Sequence, residues 1–156
     1  DAININYSPI VNVYIWLRKN PLKESFYALE KSIIHWIFNK GSFINITISN
    51  AINLISKSKD EISNITLNEL NKFIPGILEE VENIVVIKEK KATFIPSNEI
   101  INKRFSAKTE IENLFLAGDW TDTKLPSTIE GAVKSGRIAA EEIIKDYFNK
   151  KELNEQ

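Results

Sequence analysis

Cysteine is absent from these 156 residues, and histidine occurs once, as His35. Without thiols, disulfides, zinc fingers, iron-sulfur clusters and cysteine nucleophiles are excluded, and a metal site would need oxygen ligands alone. Asp119 and Asp122 are of the right type, but no third partner stands near them, so no metal is expected. Methionine is also absent and the chain starts at Asp1, which sets the expectation that the sequence is an excerpt from something longer. The five glycines, at 41, 76, 118, 131 and 136, form neither a Gly-x-Gly-x-x-Gly fingerprint nor a Walker A loop. Any nucleotide site in the chain is therefore incomplete. No sign of charge dominates, with 20 basic against 21 acidic residues, so nothing recommends a nucleic-acid partner. No apolar run reaches the roughly 18 residues of a membrane-spanning helix, and the first residues lack the pattern of a secretion signal. The expected location is cytoplasmic, with membrane contact no more than peripheral.

What is present is a composition 43% hydrophobic and 26% charged, enough apolar material for a real core. From Ile10 to Leu17 two sets of residues alternate, Val11, Val13, Ile15 and Leu17 against Ile10, Asn12, Tyr14 and Trp16, which predicts a strand with both faces at least partly buried. Ser25 to Lys31 is of no clear type. A second apolar run, Ile33 to Phe38, and a third, Phe43 to Ser49, flank the turn residues Asn39-Lys40-Gly41-Ser42, which predicts an antiparallel hairpin. Ser58 stands three residues before Glu61, a capping-box spacing, and Ile62, Ile65, Leu70, Phe73 and Ile74 follow at helical intervals until Pro75-Gly76. Ile84 to Glu89 reads as a fourth strand, and 90–111 as polar and irregular.

The segment from Asn113 to Ala140 carries most of the functional signal. Leu114 to Ala117 predicts a short apolar strand that ends at Gly118, where a ligand could approach the backbone, and Asp119 sets a carboxylate just past the strand end. Ligands of open α/β sheets bind there. Pro126 leads into a helix capped by Ser127 or Thr128, with Glu130 three residues after Ser127. Free N–H groups at such a helix start favour an anion. Ile129, Ala132, Val133, Gly136, Ala140, Ile143, Ile144 and Tyr147 form one apolar stripe, while Gly131, Ser135 and Ala139 make a row of small residues suited to close packing.

This run resembles the C-terminal flavin-binding motif of the flavin amine oxidase and phytoene desaturase superfamily. Tyr7 to Leu17, His35 to Gly41 and Val86 to Pro96 are similar to segments of its squalene-associated FAD-dependent desaturases, also called hydroxysqualene dehydroxylases. The resemblance implies an α+β chain: a mixed sheet with one helix over 1–112, part of a substrate-binding domain, and over 113–156 a strand-loop-helix belonging to a Rossmann-like FAD domain. It implies FAD as cofactor, bound by Gly118, Asp119, Pro126, Ser127, Thr128, Ile129 and Ala132, with Asp119 on the ribityl chain, Gly118 permitting close approach, and the N–H of Ile129, or of Thr128 before it, facing flavin O2. It also implies hydride transfer through flavin N5, an isoprenoid or other apolar substrate of the hydroxysqualene, squalene or carotenoid type, and an N-terminal part of the same chain as partner. No catalytic residue is singled out, and the excerpt alone is expected to be inactive.

Lys124 stands where members of that family often carry glycine. Tyr14, Trp16 and Trp36 are candidates to line an apolar tunnel, although strand aromatics serve equally well as plain core. His35, inside an apolar strand, fits a structural role better than acid or base work, and Lys88 to Lys91 fits a solvated strand end. Two other functions remain open: an amine oxidase of the same fold, and a non-catalytic remnant serving as an interaction module.

Overall fold

The computed structural model describes residues 6–154, so the outermost ends of the two expected domains, 1–5 and 155–156, lie outside the description. The chain divides into two compact units, one over 7–93 and a second that joins Asn6 to the residues from Phe94 onward. Among the described residues no helix is long and apolar enough to cross a membrane.

The first unit is built on a five-stranded sheet in the order β2-β3-β4-β1-β5, formed by β1 (Tyr7–Leu17), β2 (Phe26–Ala28), β3 (Trp36–Asn39), β4 (Phe43–Ile48) and β5 (Val81–Phe94). β3 and β4 make the expected antiparallel hairpin, with Trp36 opposite Thr47 and Asn39 opposite Ile44. Its turn works because Gly41 adopts φ +81°, open to glycine without strain, and donates its N–H to the Asn39 side chain at 3.0 Å. β1 pairs antiparallel with β4, Val13 opposite Ile46 and Trp16 opposite Phe43. Strict alternation then fixes the faces. Val11, Val13, Ile15, Ile44 and Ile46 are fully buried on one side, and each such side chain contributes about 1.5–3 kcal/mol on leaving water.

Helix α1 (Lys59–Phe73) adds Ile62 and Leu70 to this core. Its start is the capping box that the sequence announces: Ser58 Oγ accepts the Glu61 N–H at 3.1 Å, and the Glu61 carboxylate accepts the Ser58 N–H at 2.8 Å. It ends before Pro75-Gly76, where Gly76 takes φ +85° and opens a 3-10 turn over Ile77–Glu80. Lys88 departs from the expected solvated strand end, because its ammonium donates to the carbonyls of Ile55 and Lys57 at 3.1 and 2.8 Å.

The second unit contains α2 (Asn98–Asn102) and α3 (Ile129–Asn154). The irregular stretch expected over 90–111 thus holds the end of β5 and a short helix, whose cap is Ser97 accepting the Ile100 N–H at 3.3 Å. The strand expected at Leu114–Ala117 does not form. It is reduced to a single bridge between Phe115 and Lys108 and one bond from the Leu116 N–H to the Ala107 carbonyl, because a strand needs a ladder of neighbours on its backbone groups and only this short partner is at hand. The stripe on α3 also turns the other way from a simple amphipathic expectation. Ile129, Val133 and Tyr147 are 87%, 62% and 65% exposed, while the small residues Gly131, Ser135 and Ala139 are buried.

Candidate functional site

The turn after Leu116 and the start of α3 are joined at two points. Ser135, from the second turn of the helix, accepts the Gly118 N–H at 2.8 Å and donates to the Ala132 carbonyl at 2.6 Å. Ser127 donates its hydroxyl to the Asp119 carboxylate. Four of the residues singled out by sequence, Gly118, Asp119, Ser127 and Ala132, are thus brought together, and Pro126, Thr128 and Ile129 complete the same turn.

Thr128 is the cap. Its Oγ1 accepts the Gly131 N–H at 3.2 Å and its carbonyl accepts the first helical bond from Ala132 at 2.9 Å. The box expected from Ser127 and Glu130 is therefore not the one formed, since Ser127 is occupied by Asp119 and the residue three past Thr128 is a glycine. That glycine is required: a Cβ on Gly131 would come within 2.6 Å of the Pro126 carbonyl oxygen, as the lead-in folds back over the helix. Among the described residues the N–H groups of Ile129 and Glu130 meet no acceptor, as the first turn of a helix leaves them, and such a start favours an anion.

Gly118 lies directly against the side chain of Trp120. The indole of Trp120 fills the space a Cβ would take, so this ring explains the glycine at that position. Trp120 itself stands edge-on to Phe105, ring centres 6.3 Å apart.

The loop between Asp119 and the helix is held tightly. Thr121 Oγ1 donates to the Gly118 carbonyl at 2.8 Å, and Thr121 and Thr123 are buried. Lys124 adopts φ +60°, the left-handed region, which matches its place at a position where glycine would be at ease. Its ammonium bonds Asp122 at 2.6 Å and holds that carboxyl below the usual carboxylate range, with Arg104 adding a smaller pull. Arg104 donates to the Leu125 carbonyl at 2.6 Å. A cavity of about 620 Å³ adjoins, lined by Pro96, Ile101, Arg104, Lys124, Leu125 and Pro126. Arg104, Trp120 and Ser135 are the participants that sequence reasoning did not assign. Only Ser135 left a trace, as a member of the small-residue row.

In the first unit the three candidate tunnel aromatics share the sheet face opposite the aliphatic core. Trp16 stacks on Phe43 at 5.5 Å and Tyr14 tilts against the same ring at 6.2 Å. Trp36 stacks on Phe38 at 6.3 Å and is 40% exposed. Asn45, opposite Tyr14 and Phe38 in the register, has its side-chain oxygen buried without a partner. His35 Nδ1 accepts the Ser49 N–H at 3.0 Å, a fixed structural bond of the kind the sequence suggested.

Comparison with known proteins places the chain in a family. The sequence pattern of flavin containing amine oxidoreductases matches residues 2–144. The chain is 32% identical over 138 residues to a hydroxysqualene dehydroxylase of Rhodopseudomonas palustris, covering 88% of this chain and 33% of that protein. It is 36% identical over 109 residues to the hydroxysqualene dehydroxylase of Sinorhizobium fredii, covering 70% of this chain and 26% of the relative. A 15-cis-phytoene desaturase of Narcissus pseudonarcissus is 25% identical over 158 residues, covering 89% of this chain and 28% of the relative. The chain thus spans about a third of the length of the curated relatives it matches. With a match over most of its length, the chain belongs to the flavin containing amine oxidoreductase family, whose cofactor is FAD.

Proposed function

We propose that the chain is the C-terminal portion of an FAD-dependent oxidoreductase acting on an isoprenoid lipid of the hydroxysqualene, squalene or carotenoid type. The observation that carries this is the Ser127–Asp119 bond, which ties a carboxylate to the lead-in of α3, whose first turn carries the open N–H groups of Ile129 and Glu130. One carboxylate oxygen remains for a hydroxyl of the ribityl chain, and the helix start faces negative charge favourably. The residues present therefore fit the isoalloxazine end of FAD. Bound FAD supplies two-electron chemistry through its N5 atom. This chain's part is to hold the ribityl chain with Asp119 and to offer the Ile129 N–H and the dipole of α3 to the charge that develops at N1 and O2 on reduction.

The five glycines make no dinucleotide fingerprint, and the relatives are about three times as long. The remaining FAD contacts accordingly belong to polypeptide outside these residues, with 113–156 as the returning edge of the FAD domain and 1–112 as part of the substrate domain. The aromatic face carrying Tyr14, Trp16 and Trp36 supports an apolar substrate. The decisive experiment is purification of the whole protein with its bound flavin, followed by anaerobic mixing with hydroxysqualene, phytoene or a primary amine. Flavin turnover with either isoprenoid is expected. Loss of FAD by roughly ten- to hundredfold in Asp119→Ala, the worth of one hydrogen bond to a charged group, is the companion result. A protein that purifies without flavin, or reacts with the amine alone, defeats the proposal.

A further inference from the structure

We infer that Arg104 is a positioning residue that sets the start of α3, and through it the flavin-facing N–H groups. The inference builds on the flavin reading above and adds to it a residue outside the motif that carries that reading. Arg104 Nη1 donates to the Leu125 carbonyl at 2.6 Å. That oxygen belongs to the Leu125–Pro126 peptide unit, which is planar and includes the proline nitrogen, so holding it orients the proline that leads to Ser127 and the Thr128 cap. The next residue holds the other end of the loop, because the Phe105 carbonyl accepts the Asp122 N–H at 2.9 Å. Residues 104 and 105 thus grip a four-residue segment at both ends. Between the grips lies Lys124 at φ +60°, a conformation that its surroundings must impose.

The guanidinium is itself immobilised. It lies over the Phe94 ring, 5.1 Å from the centroid, and its Nε is buried with no hydrogen-bond partner. A surface arginine would keep that donor in water. Here one donor is given up while another fixes a backbone carbonyl, which marks the group as a brace. The α3 start that it braces carries the open N–H of Ile129.

The test uses the whole FAD-loaded protein with Arg104→Gln, Arg104→Lys and, as a neighbouring surface control, Lys103→Gln. Two quantities are read: the preference for reduced over oxidised flavin, from the midpoint potential, and hydrogen exchange of the amides from Asp122 to Gly131. Arg104→Gln should lower the flavin preference about tenfold and quicken the exchange about tenfold, the loss of one hydrogen bond from a charged donor. Arg104→Lys, which keeps a charged donor, should recover a large part of both. Lys103→Gln should change neither. Unchanged exchange in Arg104→Gln overturns the positioning role, and so does a lysine variant as impaired as the glutamine one. If the glutamine variant does not fold, exchange in Arg104→Lys decides: intermediate rates support the brace and wild-type rates overturn it. A wild-type protein without flavin removes the flavin reading alone, since the exchange comparison still stands.

Discussion

The Ser135 hydroxyl receives the N–H of Gly118 at 2.8 Å and passes its own proton to the Ala132 carbonyl at 2.6 Å, so one fully buried side chain ties the turn bearing Asp119 to the helix that starts at Ile129. Ser135→Ala leaves the Gly118 N–H without its partner. The expected cost is about 1–3 kcal/mol of stability, the penalty for an unsatisfied buried donor. Thermal or urea unfolding checks it; an unchanged midpoint would mean that the turn finds another acceptor and that the tie is dispensable.

Lys124→Gly should stabilise the protein slightly. Relief of the left-handed conformation is worth roughly 1–2 kcal/mol, while glycine's greater freedom in the unfolded chain returns roughly 0.5–1 kcal/mol. The lost bond to Asp122 is exposed and contributes little. A gain of up to about 1 kcal/mol, seen as a rise in Tm of a few degrees, is the expected outcome. A clear loss would show that the lysine side chain, not the backbone, sets the loop.

Ile129 is the first residue of α3 and 87% exposed, a position where proline fits the helix sterically. Ile129→Pro removes one N–H and little else. In the whole protein the flavin reduction potential should fall, because the charge of the reduced form loses a donor, while oxidised flavin is retained more nearly as before. Lys134→Ala, on an exposed face, should leave both alone. An unchanged potential in the proline variant would make the helix start a mere neighbour of the flavin.

Stability should also weaken in acid through the α1 capping box. The Ser58 backbone N–H holds the Glu61 carboxyl below its ordinary range, aided by the Ser58 hydroxyl and the charges of Lys57 and Lys88. A carboxyl whose folded value is depressed contributes stability that is whole above its unfolded value and is lost as pH falls through the folded one. Glu61→Gln should therefore melt lower than wild type near neutrality and converge with it in acid. Parallel pH profiles for the two proteins would contradict this.

Much of the first unit was legible because its signals are local. The alternation from Ile10 to Leu17 marked β1 as a strand with both faces at least partly covered, and Ser58 with Glu61 named the start of α1 within a residue. The second unit was harder for a physical reason. Leu114 to Ala117 has strand composition, but composition cannot supply the neighbours whose backbone groups make a strand. The apolar positions of α3 were identified correctly and their orientation was not, because Gly131, Ser135 and Ala139 allow the lead-in loop to lie against the helix more closely than larger side chains would. Ser127 and Thr128 are both competent caps by type, and only the competing bond to Asp119 decides between them. Arg104 gave no signal at all, since its partner is a backbone carbonyl 21 residues away.

Trp120 has an optical consequence. Three tryptophans occur in the chain, and two of them, Trp16 and Trp36, are stacked on phenylalanines of the sheet, far along the sequence from the acidic turn. Trp120 alone lies on the Gly118 backbone, one residue from Asp119. Replacing Trp16 and Trp36 by phenylalanine leaves a single indole whose emission wavelength and lifetime report the closing, opening or filling of that turn, with no label attached.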